Sequence, residues 1–245
     1  MSRYFQLTRK HSYALLFALP LLVLYELGAA LIAGPTQGLR NGADVLLRTL
    51  LATGGVHSTL VFTAILVVGA VILVARERRR EQVPLKAGVF AGMMVESVLY
   101  AMVFGTVVAS MTGWVLGGWR LAADPAGGSM DRLPVADGLV LSLGAGFYEE
   151  LLFRVLLVGG LLAVFKSAGV GKTPGRIFAA VLAAFLFSAF HYIGPYAYPL
   201  ELGSFTFRFL SGLALNALFI ARGFGITAWT HALYDVYVLV LHRGG

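Results

Sequence analysis

A chain of 245 residues has room for one or two soluble domains, but 58% of this one is hydrophobic and only 13% is charged, against about 25% charged in soluble domains. That composition leaves a single polytopic membrane domain, residues 1–245, with little over for a soluble one. The formal charge of +7 is read as loop Lys and Arg that set topology rather than as a nucleic-acid footprint, and the lack of cysteine excludes disulfides, thiolate catalysis and Cys-ligated zinc.

The chain opens "MSRYFQLTRKHSYALLFALPLLVLYELGAAL", a basic lead and an apolar run reaching about residue 33. That run is long for a signal peptide, so an uncleaved first span is expected. Bilayer spans need about 17–25 apolar residues. Stretches of that kind lie near 13–33, 59–75, 88–110, 136–165, 176–193, 205–221 and 224–241. The fourth is too long for one plain span; "LGAGFYEE" within it bends it or starts a separate short helix. The Gly-rich stretch 36–55 and "MTGWVLGGWRL", with Trp114 and Trp119, read as interfacial segments. The predicted fold is all-α, a polytopic transmembrane helix bundle of about seven to eight spans. There is no internal repeat.

Orientation follows from Lys and Arg. Arg3, Arg9 and Lys10 precede the first span, "RERRREQVPLK" follows the second, Lys166, Lys172 and Arg176 follow the fourth, and Arg222 follows the sixth. The alternate loops are poorer, with Arg40 and Arg48, then Arg120 and Arg132, then Arg208. The positive-inside rule puts the N-terminus in the cytoplasm. With seven spans, the C-terminus is outside.

"GAGFYEELLFRVLLVGG", residues 144–160, places three ionisable groups in an apolar span. Each costs about 2.5–3.5 kcal/mol near a bilayer centre on insertion scales. Glu150 and Arg154 are four apart and can pair on one helix face. Glu149 lies about 100° around the helix, has no partner in its own segment, and should face the bundle interior. His191 ends the fifth span, one turn after Phe187; His231 and Asp235 are four apart on the seventh. Singly, each has a dull explanation: a packing histidine, a buried hydrogen bond. Together, carboxylates and imidazoles on three spans are what water activation needs. One base takes a proton, and other groups hold an oxyanion. Three further groups stand apart. Glu96 lines the cavity or pairs at headgroup level, Glu26 is expected to be solvated near the outer end of the first span, and His242 is expected at the interface.

"EELLFR", "FSAFH" and "HALYD" stand in this order. They resemble the EExxxR, FxxxH and HxxxN/D motifs of the CPBP intramembrane proteases, the CAAX-protease and bacteriocin-processing relatives that include type II CAAX prenyl endopeptidases. The resemblance covers roughly residues 135–241, a catalytic core; residues 1–134 match only as generic spans. It implies that Glu149 is the general base, helped by His191. It also implies that His231 and residue 235 stabilise the oxyanion, and that Glu150 and Arg154 hold the helix in place. Many members have Asn where this chain has Asp235, and an ionised carboxylate repels an oxyanion. Asp235 is then protonated, orients His231, or binds metal; the orienting role is the simplest. Glu149, His191, His231 and Asp235 also make a plausible zinc set, although HExxH is absent. A metal-free site without cofactor is expected, with zinc as the alternative.

The reading is therefore an intramembrane endopeptidase acting on a membrane-anchored protein or peptide, with the lipid bilayer as its other partner and no nucleic acid. Its rivals are a non-catalytic immunity or binding protein of the same family and a proton-coupled transporter. The aromatic loop "HYIGPYAYPLELGSF" is either a lid or an interfacial belt. Composition points to a GC-rich bacterium and its plasma membrane. The topology aims the cavity outward, away from a cytosolic prenylated substrate.

Overall fold

The computed structural model describes residues 3–33, 36–117, 133–194, 197 and 199–243, except for the side chains of 241–243. Among these the fold is all-α, with nine helices. They are α1 (Arg3–Thr8), α2 (His11–Leu31), α3 (Gly42–Thr53), α4 (Thr59–Glu81) and α5 (Ala87–Val115), then α6 (residues 135–167), α7 (Lys172–Phe190), α8 (Leu202–Arg222) and α9 (Phe224–Arg243). Five of them, α2, α4, α5, α7 and α8, are long and apolar enough to cross a membrane. Their outer faces carry large exposed apolar side chains such as Leu60, Leu99, Met102 and Phe178. Their backbone hydrogen bonds close within each helix, as a hydrocarbon solvent requires.

Local chemistry sets several helix ends. The Asn41 side chain caps α3 by accepting from the Ala43 N–H, and Ser58 caps α4 by accepting from Val61. Arg78, Arg79 and Arg80 fill the last turn of α4, where cations suit the helix dipole. The stretch expected to lie at the interface supplies α3 instead. Its Ala43, Asp44 and Leu47 are buried, so it belongs to the bundle. At the end of α5, Trp114 is 85% exposed, as an interfacial aromatic would be. Trp119, Arg120, Arg132 and the side chain of His242 lie outside the described residues.

The long fourth segment does not start a separate short helix. It is one helix with two π-helical stretches, Ala145–Glu149 and Leu151–Val158, and the residues joining them keep right-handed helical angles. No proline interrupts it, and π turns absorb the irregularity while keeping the backbone bonded. Helix α9 packs against α2, α5, α6 and α8 and so forms the bundle's centre. The α6–α9 crossing depends on Gly146. A Cβ there would lie 2.5 Å from the Ala228 carbonyl oxygen and from the Ala232 Cβ.

The two ends of the bundle differ. At one end Lys10 pairs with Glu81, Glu77 accepts from Ser12, and Arg222 pairs with Glu96. Glu96 also accepts from Tyr4 and Tyr100 at 2.8 Å each, which makes it an anchor for α1 and α8. At the other end Glu26 is not solvated as expected. It accepts from Arg40, Arg48 and Tyr148, with 17% of its side chain exposed. A carboxylate at this depth gathers every donor in reach.

Candidate active site

Glu149, His191, His231 and Asp235, drawn from α6, the end of α7 and α9, line one cavity of about 700 Å³. All four predicted site residues are therefore brought together. Glu150 and Arg154 lie behind the cavity wall, both fully buried. The lining comes from the C-terminal end of α7 and the C-terminal half of α9, the N-terminal parts of α6 and α8, α3 with the segment leading into it, and Phe104 of α5. That is the end of the bundle away from Lys10, Glu81 and Arg222.

The geometry assigns hydrogen-bond roles. His191 Nδ1 is 2.8 Å from the Phe187 carbonyl. A carbonyl only accepts, so Nδ1 carries the proton and Nε2 is the acceptor side. Nε2 stands 4.0 Å from Glu149 Oε2. The other oxygen of Glu149, Oε1, accepts from Asn41 Nδ2 at 2.8 Å. His231 Nδ1 is 2.7 Å from Glu150 Oε1, and its Nε2 is 3.6 Å from Asp235 Oδ2.

Two carboxylates therefore face His231. Asp235, the expected orienting group, stands at ion-pair distance from Nε2 but beyond a hydrogen bond, and Glu150 is the one in hydrogen-bond contact, at Nδ1. Helical spacing showed that Glu150 shares a face with Arg154. It carried no sign of a bond to a side chain on another helix. The Arg154 Nε does lie 3.1 Å from Glu150 Oε2, at ion-pair distance. Its nitrogens make no hydrogen bond among the described residues. The guanidinium sits over the Phe187 ring at 4.5 Å instead. The same ring meets His191 edge-on at 4.9 Å and His231 at 6.0 Å. Phe187 thus wedges both imidazoles and the buried cation into place.

Two residues escaped sequence reasoning. Asn41 stands before "GADVLLRTLL", a readable helix-cap signal with nothing to tie it to Glu149. Arg208 lies inside α8 rather than in a loop, is 7% exposed, and lines the cavity near Tyr192, whose hydroxyl is 3.1 Å from Nη1. At the mouth, burial alone would lower the pKa of Arg40. Hydrogen bonds to Asp44 and Glu26 outweigh that and hold it above its ordinary value, so it stays a cation.

Among the described residues, no three His, Asp or Glu side chains are grouped to hold a metal ion. The zinc set of Glu149, His191, His231 and Asp235 does not fit this arrangement, and no chemical step is drawn through a metal.

Carboxylates and imidazoles thus face one another in a cavity inside a helical bundle. Residues 131–237 match the family model described as Type II CAAX prenyl endopeptidase Rce1-like, and this part of the chain is an Rce1-like (CPBP) family domain. The match spans Glu149 through Asp235 and excludes α1–α5, with Asn41. No curated protein and no solved structure matches the chain.

Proposed function

We propose that the protein is an intramembrane endopeptidase in which Glu149 and His191 activate water to hydrolyse a peptide bond of a membrane-associated substrate. The observation that carries this is the 4.0 Å gap between Glu149 Oε2 and His191 Nε2. One water can bridge such a gap. Both groups accept, so the water donates a hydrogen bond to each and turns its lone pair toward the substrate carbonyl. Attack forms the C–O bond while Glu149 takes the proton. The tetrahedral oxyanion settles against His231, whose Nδ1 is held by Glu150. Collapse breaks the C–N bond, and Glu149 returns its proton to the departing amine.

Asp235 faces the Nε2 edge of His231 and favours a proton there, which supplies the donor the oxyanion needs. Glu150, Arg154 and Phe187 fix the ring. The family description supports a peptide substrate. The apolar lining around Phe104, Phe187, Phe207 and Leu239 suits a lipid-anchored or membrane-embedded one.

We also read α6 and α9 as crossing the bilayer, seven spans in all, with the Lys- and Arg-rich end in the cytoplasm. The cavity then opens on the outer side of a bacterial plasma membrane. Purified protein incubated with a quenched peptide reporter, in farnesylated and unlipidated forms, tests the proposal. Mass spectrometry should find new peptide ends, undiminished by a chelator. Intact reporter throughout would contradict it.

A further inference from the structure

We infer that Asn41, outside the family-matched segment, is a positioning residue that fixes which oxygen of Glu149 acts as base; this rests on the proposed role of Glu149. Asn41 is 8% exposed and stands at the N-cap of α3. Its Oδ1 accepts from the Ala43 N–H at 2.9 Å, so the amide cannot turn over without losing the cap. The NH2 group is thereby aimed at Glu149 Oε1, 2.8 Å away. A carboxylate rotates readily about its last torsion. Anchoring Oε1 leaves Oε2 facing His191.

A network grips both partners. The Asn41 backbone N–H donates to the Tyr25 hydroxyl at 3.0 Å, and that hydroxyl donates to Asp44 Oδ2 at 2.8 Å. Asp44 is held by Arg40 and Arg48. Both arginines also pair with Glu26, which accepts from the Tyr148 hydroxyl at 2.6 Å. Tyr148 precedes Glu149, so one set of charges fixes the cap of α3 and the turn bearing the base. Gly144 permits the approach: a Cβ there would lie 3.1 Å from the Asn41 Cβ and would strike the Tyr25 ring. The N-terminal helices thus complete a site whose proposed catalytic groups all lie in the family domain.

Three variants of the full chain, purified in detergent, test this with whichever form of the peptide reporter the wild-type protein cleaves faster. Asn41→Ser keeps a capping oxygen but is too short to reach Glu149. Its melting temperature should stay within about 2–4 °C of wild type, the shift of roughly 1 kcal/mol at this chain length. Its kcat should fall about 10-fold or more with KM unchanged, the mark of a displaced catalytic group. Wild-type kcat in Asn41→Ser would reduce Asn41 to a helix cap and overturn the inference. Asn41→Asp sets a carboxylate against Glu149 and should lower the melting temperature. Adding Glu149→Gln should restore it, because the new amide donates to Asp; failure to restore it would overturn the contact itself. A failed base reading shows separately, as wild-type cleavage by Glu149→Gln alone while the swap still restores stability, and that overturns the catalytic role of Asn41 too.

Discussion

His231 sits between two carboxylates, and they should not respond alike to substitution. Glu150 touches Nδ1 and pairs with a fully buried arginine. Glu150→Gln strands Arg154 in a low-dielectric site, and breaking such a pair costs about 3–5 kcal/mol. Melting in detergent should therefore fall sharply, with cleavage falling alongside it. Unchanged melting would mean that the Phe187 ring alone suffices for the cation. Asp235 is more exposed and stands at 3.6 Å. Asp235→Asn should keep measurable cleavage, since an amide N–H can donate to an oxyanion. Asp235→Ala should lose up to about 10²-fold in kcat, because His231 then lacks the carboxylate that favours a proton on Nε2, the donor to the oxyanion. Near-stoichiometric zinc in the wild-type protein, lost in Asp235→Asn, would replace this account with a metal-based one. The residues that converge here were legible because each is costly in an apolar span and each falls in an ordered motif. Asn41 was not, because a contact between residues 41 and 149 leaves no local pattern in either segment.

At the scale of elements, the crossing of α6 and α9 decides whether the base and the oxyanion group share a cavity. Gly146→Ala pushes a methyl into the Ala228 carbonyl. Backbone cannot yield as a flexible side chain can, so the helices must part. Overpacking of this kind costs about 1–3 kcal/mol. Both melting temperature and kcat should drop. Gly160→Ala, on the same helix with open space around it, is the control and should be neutral or slightly stabilising. Wild-type behaviour of Gly146→Ala would show that the crossing tolerates separation. Hydrophobic length located these helices well, because span length is set by the bilayer. It could not show that residues 135–167 remain one helix. Whether glycines break a helix or seat a neighbour depends on what packs against them. Nor could it place α3, whose buried face joins Ala43 and Leu47 in the apolar core to the Tyr25–Asp44 and Glu26 network.

For the whole molecule, the charge asymmetry between the two ends makes the topology testable. The chain has no cysteine, so single cysteines report cleanly. Ile193 is 72% exposed at the cavity end, and Arg78 is exposed at the basic end. An impermeant thiol reagent on intact cells should label Ile193→Cys and spare Arg78→Cys. The opposite pattern would turn the cavity toward the cytosol and restore a prenylated cytosolic substrate. The orientation rests on loop arginines and is what the labelling tests; Arg208, counted among them, is a buried cavity residue rather than a loop charge.

Glu149 is proposed as the base that makes a nucleophile of water. Glu149→Gln keeps the size of the side chain and an oxygen for the Asn41 amide, and removes the proton acceptor. Its rate on the peptide reporter, measured beside wild type at matched melting temperature, is the most direct test. A loss of about 10²-fold or more in kcat is expected, with new peptide ends falling in proportion by mass spectrometry. Cleavage at the wild-type rate by the folded variant would contradict it.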